Sequence, residues 1–132
     1  MIKGLDHIDI SVNDVEETIK VFQKMGFELV CRTNHVGGAA ELKLPGDNQP
    51  IFEVHPVLPR YLEGKPGILH IAFLVDNPQA TPNELKANGV KIRHDSNTPS
   101  FQKEIGRTLV NTEELGSFNL QFVDERKPPI TR

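Results

Sequence analysis

Four residues of this 132-residue chain combine types and spacing that point to chemistry: His7, Glu53, His70 and Gln121. Each is flanked by apolar neighbours: Ile8 after His7, Phe52 and Val54 around Glu53, Leu69 and Ile71 around His70, Leu120 and Phe122 around Gln121. Successive side chains of a β-strand point to opposite faces, so apolar neighbours that pack under helices leave the four polar groups on the other side. If the sheets curve around one cavity, the four converge there. Two neutral imidazoles, one carboxylate and one amide oxygen suit a divalent ion such as Zn2+, Ni2+, Mn2+, Fe2+ or Co2+.

An internal repeat links these positions. The stretch Leu5-Asp6-His7-Ile8-Asp9-Ile10-Ser11-Val12 recurs 63 positions later as Ile68-Leu69-His70-Ile71-Ala72-Phe73-Leu74-Val75, with His7 falling on His70. The same offset carries Asp14 onto Asn77 and Gly26 onto Gly89, so a strand, turn, helix and helix-ending glycine are duplicated. A lone strand histidine is more often a surface or hydrogen-bonded group than a ligand. Its recurrence at matched positions of two repeats reverses that balance.

The elements that must position these residues follow from periodicity. Ile8, Ile10 and Val12 mark the core face of a first strand, and His7, Asp9 and Ser11 its polar face. Asn13, with Glu16 three positions on, is a candidate cap for a helix carrying Val15, Ile19, Phe22 and Met25 and ending at Gly26. Strands are expected over 27–33 (with Cys31 as a small core side chain), 39–44 and 50–57. The connector 58–67 holds two prolines and two glycines, besides Arg60, Tyr61 and Lys65. The second half repeats the plan: a strand over 68–75, a helix from Pro82 capped by Thr81 and Glu84, and strands over 90–94, 103–111 and 116–123. The fold class read from this pattern is α+β. Two tandem βαβββ modules, about 3–57 and 68–124, form curved mixed sheets around a shared cavity in a single domain, with a tail over 125–132.

Halves of roughly 65 residues are marginal alone and are expected to share one core. A hydrophobic fraction of 37% and a charged fraction of 25% fit a globular protein. The net charge of −3, with no basic run, argues against nucleic acid or an anionic membrane surface as partner. Cys31 is the single cysteine, so no internal disulfide forms, and no CxxC pattern builds a structural zinc site. The first residues enter a strand without an apolar leader, and no stretch approaches the ~20 apolar residues of a membrane span. A cytoplasmic setting is expected.

The openings Gly4 to Asp14 and Pro66 to Asp76, with Ile51-Phe52-Glu53-Val54 and Asn119-Leu120-Gln121-Phe122, resemble the paired first and fourth strands of the vicinal oxygen chelate superfamily. The resemblance extends through Asp124 and implies a glyoxalase-like fold. Similarity to the metal enzymes of that family implies His7, Glu53, His70 and Gln121 as ligands of a divalent ion, in a pattern nearest to a bacterial-type glyoxalase I. Gln121 departs from it, standing where that enzyme carries a second glutamate. Methylmalonyl-CoA epimerase uses the same four residue types with glutamine and glutamate in the opposite halves. The superfamily also implies a homodimer, a pairing that would protect exposed sheet edges.

The leading function is a metal-dependent lyase or isomerase/epimerase that takes a small oxygen-chelating substrate through a metal-stabilised enolate, with Glu53 as the group that accepts the proton. Two alternatives stand beside it. An Fe2+ extradiol-type dioxygenase would use two histidines and Glu53 as a facial triad. A metal-free binding protein that sequesters an antibiotic or other ligand would have no need of His7, Glu53 and His70 together. Arg60, Tyr61 and His55 are candidates for substrate contact; Lys65, Arg93, Lys103 and Arg107 are cations that could meet an anionic tail. His55, His35 and His94 are read as rim or solvated residues.

Overall fold

The computed structural model describes residues 1–59, 62–95, 107–112 and 118–126. Among these, the two expected βαβββ modules are present. The first comprises β1 (Ile2–Val12), α1 (Val15–Lys24), β2 (Glu28–Thr33), β3 (Ala39–Lys43) and β4 (Ile51–Pro56). The second comprises β5 (Gly67–Val75), α2 (Thr81–Ala87), β6 (Ile92–Asp95), β7 (Arg107–Thr112) and β8 (Asn119–Val123). The chain divides into two compact units, one of His7–Leu69 and one of Met1–Asp6 with His70–Arg126.

In the first unit the strand order is β2-β3-β4-β1, with β1 parallel to β4 and the other pairs antiparallel. Helix α1 presents Val15, Ile19 and Phe22 at i, i+4 and i+7, a stripe that packs on Ile10, Val12, Ala40, Leu42, Phe52 and Val54 of the sheet. Phe22, Phe27 and Phe52 meet with ring centroids 4.8–5.6 Å apart, the Phe27 ring edge-on to both others. Fully burying such a side chain would stabilise the fold by about 1.5–3 kcal/mol, and these partly buried rings contribute less than that each. The core face is therefore the one that alternation assigns, which leaves the opposite face for polar groups.

The cap of α1 falls one residue later than the sequence suggests. Asp14, not Asn13, adopts the extended conformation and accepts the Glu17 N–H at 3.0 Å. A carboxylate there also complements the positive end of the helix. Asp14→Ala is expected to cost about 1 kcal/mol, measured as a lower denaturant midpoint at unchanged slope.

Strand β2 starts at Glu28 instead of Phe27, because the Phe27 N–H closes the helix end on the Phe22 carbonyl at 3.0 Å and its ring joins the aromatic cluster. A bulge follows. Leu29 lies opposite Leu42, but Cys31 lies opposite Glu41, so Val30 is the extra residue and the alternation inverts across it. Cys31 consequently shares a face with Glu41 and not with the core, which corrects the reading from simple alternation.

In the second unit the order is β5-β8-β7-β6, with β5 parallel to β8. Val75 and Phe122 form its buried centre, packed by Phe73, Leu85, Ile92 and Leu120. The expected capping box at Thr81 is absent, and α2 begins at Thr81 behind Ala80. The Thr81 hydroxyl donates backwards to the Asn77 carbonyl at 2.9 Å, while Asn77 Oδ1 accepts the N–H groups of Gln79 and Ala80. An Asx turn at Asn77 thus starts the helix and uses up the hydroxyl that would have capped it. Strand β6 begins at Ile92 and not Val90, whose N–H ends α2 on the Leu85 carbonyl at 2.9 Å. The expected strand start at Lys103 and the tail beyond Arg126 lie outside the described residues. No helix among the described residues is long and apolar enough to cross a membrane.

Candidate functional site

The polar face of the first unit is assembled by register. His7, Asp9 and Ser11 of β1 lie opposite Ile51, Glu53 and His55 of β4. Glu53 also lies opposite Glu41 of β3, and Glu41 opposite Cys31 of β2. Residues opposite one another on neighbouring strands share a face at a strand spacing of about 4.8 Å. One row across four strands therefore reads Cys31, Glu41, Glu53, Asp9. His7, Asp9, Ser11, Glu41, Glu53 and His55 are all buried.

His55 is the largest departure from the sequence reading, which places it at a solvated rim. Its alternation with Glu53 puts it on the buried face, where it is 0% exposed. Nδ1 lies 2.7 Å from the Pro56 carbonyl and Nε2 lies 2.5 Å from Asp9 Oδ1. A carbonyl only accepts, so Nδ1 carries a proton, and a second proton lies between Nε2 and the Asp9 carboxylate. Burial by itself pulls the imidazole pKa down. The hydrogen bond and negative charge of Asp9, the Pro56 carbonyl and the charge of Glu53 outweigh it, and the net shift is upward from 6.5. The pair is tied into the sheet and unavailable as a free ligand. Next to it, the Ser11 hydroxyl donates to the Gly67 and Lys65 carbonyls at 3.2 and 3.4 Å, which fixes the connector to the strand.

The second unit repeats the register with different chemistry. His70 lies opposite Asn119, Ala72 opposite Gln121, and Gln121 opposite Leu109. In both units, then, the first-strand histidine stands two residues before the position facing the fourth-strand oxygen donor: His7 before Asp9 facing Glu53, His70 before Ala72 facing Gln121. Gln121 is buried, and its Oε1 has no hydrogen-bond partner among the described residues. An unsatisfied amide oxygen in such a place costs about 1–3 kcal/mol, a cost that a ligand or ion would relieve.

The sequence-predicted donors are thus brought together as two pairs, His7 with Glu53 and His70 with Gln121. Among the described residues no group of three or more His, Cys, Asp or Glu side chains stands ready to hold a metal ion. Arg60, Tyr61 and Lys103 lie outside the described residues, as do the side chains of Arg93, His94 and Arg107. Lys65 is exposed and lies 3.8 Å from Glu63. His35 is half exposed but is not simply solvated: its Nε2 lies 4.0 Å from Glu53 Oε1.

Sequence reading missed Glu41 and gave Asp9 only a minor place. The signal for both is the one that found Glu53, an acidic residue between apolar ones: Ala40-Glu41-Leu42 and Ile8-Asp9-Ile10.

Residues 4–104 match the model of the Glyoxalase/Bleomycin resistance protein/Dioxygenase superfamily, and the chain belongs to that family. No curated protein sequence matches it. Among solved structures, methylmalonyl-CoA epimerase from Mycobacterium tuberculosis is similar, with 22% identity, 96% of this chain and 90% of that chain covered, and a TM-score of 0.62. A methylmalonyl-CoA epimerase in complex with methylmalonyl-CoA and NH4+ is similar at 20% identity over 98% of this chain and 100% of that one, with a TM-score of 0.64. A hypothetical protein from Bacillus halodurans C-125 is similar at 17% identity over 94% and 95%, with a TM-score of 0.65. At these identities the likeness is one of fold.

Proposed function

We propose that the protein is a metal-dependent isomerase, epimerase or glyoxalase-type lyase that removes a proton next to a carbonyl of a small substrate presenting two neighbouring oxygens. The observation that carries this reading is the matched placement of the two pairs: in each unit the histidine stands two residues before the position opposite the oxygen donor, His7 before Asp9 facing Glu53 and His70 before Ala72 facing Gln121. Two histidines, a carboxylate and an amide oxygen fit a divalent ion of the Zn2+, Ni2+, Mn2+, Co2+ or Fe2+ type, and the unsatisfied Oε1 of Gln121 supports a ligand there. When bound, the ion would supply Lewis-acid stabilisation of the oxygen that becomes negative as the proton leaves.

The chain's own residues supply the rest. Glu53 is the acceptor for the proton, since Gln121 is an amide and cannot ionise. Glu41, opposite Glu53, adds a second buried carboxylate on the same face. The similar structures that carry CoA ligands make a carboxylated acyl-CoA thioester such as methylmalonyl-CoA the substrate to try first. A single 1–132 domain, a cytoplasmic setting and a homodimer belong to the same reading.

The test is metal content after purification without chelator, followed by exchange of the methylmalonyl-CoA α-proton in D2O. Near one equivalent of metal is expected in the wild type, and its loss in both His7→Ala and His70→Ala. A wild-type protein that takes up no divalent ion would favour the metal-free binding alternative. Equal metal in all three proteins would overturn the ligand assignment.

A further inference from the structure

A short loop after β2 holds its histidine in a manner that a solvated turn residue would not need. The His35 N–H donates to Thr33 Oγ1 at 3.1 Å, and the His35 carbonyl accepts the Gly38 N–H at 3.0 Å, so both of its backbone polar groups are fixed. The next three residues all have positive φ: Val36 at 43°, Gly37 at 85° and Gly38 at 107°. For the glycines this conformation is unstrained. For a β-branched residue it is an outlier, tolerated only where the surroundings over-determine it, and such strain gathers at functional sites. What the tightened loop delivers is the imidazole, with Nε2 4.0 Å from Oε1 of the buried Glu53. One side-chain adjustment or one bridging water converts that separation into a hydrogen bond.

We propose that His35 is a positioning residue for Glu53, donating from Nε2 to the carboxylate and so fixing which oxygen is turned toward the ligand. This rests on the reading of Glu53 as a metal ligand and proton acceptor. A carboxylate that is held by an outer donor presents one orientation instead of several, and removal of such donors from metal sites typically costs 10- to 100-fold in affinity. His35 does not itself touch the substrate. Its exposure leaves it replaceable without disturbing the core, and the loop is held by the Thr33 hydroxyl and by backbone groups, which a substitution at His35 leaves in place.

The full chain, freed of metal, is titrated with Co2+ by calorimetry as wild type, His35→Ala and His35→Gln. His35→Ala is expected to bind about 10-fold more weakly. His35→Gln, which keeps an N–H donor, is expected to recover most of that loss. Wild-type affinity in His35→Ala would overturn the proposal, as would a His35→Gln variant no better than alanine. The contact itself is read separately in metal-free protein, where 15N spectra should show His35 in the Nε2–H form and a shift of that signal in Glu53→Gln. If the wild type takes up no Co2+ and this shift is present, the metal reading fails while the positioning of Glu53 by His35 stands. If the shift is absent, the positioning role fails whatever the metal content.

Discussion

Glu53→Gln is expected to bind metal more weakly than the wild type and, when loaded, to exchange the substrate α-proton about 100- to 10,000-fold more slowly. The substitution changes shape hardly at all. It removes the one property that Gln121, the two imidazoles and a backbone carbonyl lack, an ionised oxygen able to accept a proton at neutral pH. Glu53 would help to hold the ion, which would supply stabilisation of the oxygen left negative, and would itself take the proton. The comparison variant is Glu41→Gln. Glu41 lies opposite Glu53, on the same buried face and outside the proposed donor set. Near-normal exchange in Glu53→Gln together with loss in Glu41→Gln would move the base one strand over and leave Glu53 purely as a ligand. Gln121→Glu completes the series, because it places an ionisable group in the second unit, where Ala72 and Leu109 are the residues opposite.

The parts of this arrangement that were legible in the sequence are those fixed by period. Alternation around His7, Glu53, His70 and Gln121 identifies the polar face, because strand geometry sets it wherever the pairing is regular, and the repeat of strand, helix and glycine identifies two βαβββ modules, because it is written in the residue order itself. Cys31 was misplaced for a physical reason. The bulge at Val30 inserts one residue, and a one-residue slip moves every later side chain to the other face. The helix caps were misread because Asn13, Asp14, Asn77 and Thr81 are all competent partners for a backbone N–H, and the choice among them depends on where the core pulls the first apolar residue. Glu41 carries the same alternation signal as Glu53, which marks its face; that it is buried there depends on β3 lying between β2 and β4. His35 reaches Glu53 through a turn whose geometry rests on a strained valine, a conformation that residue type argues against.

The Asp9–His55 pair is expected to be the most sensitive polar contact in the first unit. Removing one partner of a buried, hydrogen-bonded ion pair costs about 3–5 kcal/mol, because the other is left charged or unsatisfied where water cannot reach it. Against a total stability of typically 5–15 kcal/mol, Asp9→Ala or His55→Ala would remove a large share of it. Denaturant titration of metal-free protein measures the loss directly. The alternative is that the pair is only a neutral packing contact, in which case either substitution would cost no more than an ordinary cavity. The double variant Asp9→Ala/His55→Leu separates the two: it deletes both polar groups, so it should be clearly more stable than the worse single variant if desolvation is the cause, and at least as unstable if lost packing is. The pH dependence gives an independent reading. The folded-state pKa of His55 lies above the 6.5 of the unfolded chain, so its contribution is complete below pH 6.5 and is lost as the pH rises through the folded value. Wild-type stability should therefore decline as the pH rises above 6.5. The decline should vanish in Asp9→Ala, where the carboxylate that holds the proton on Nε2 is gone; a decline that persists unchanged would show that His55 is not the group responsible.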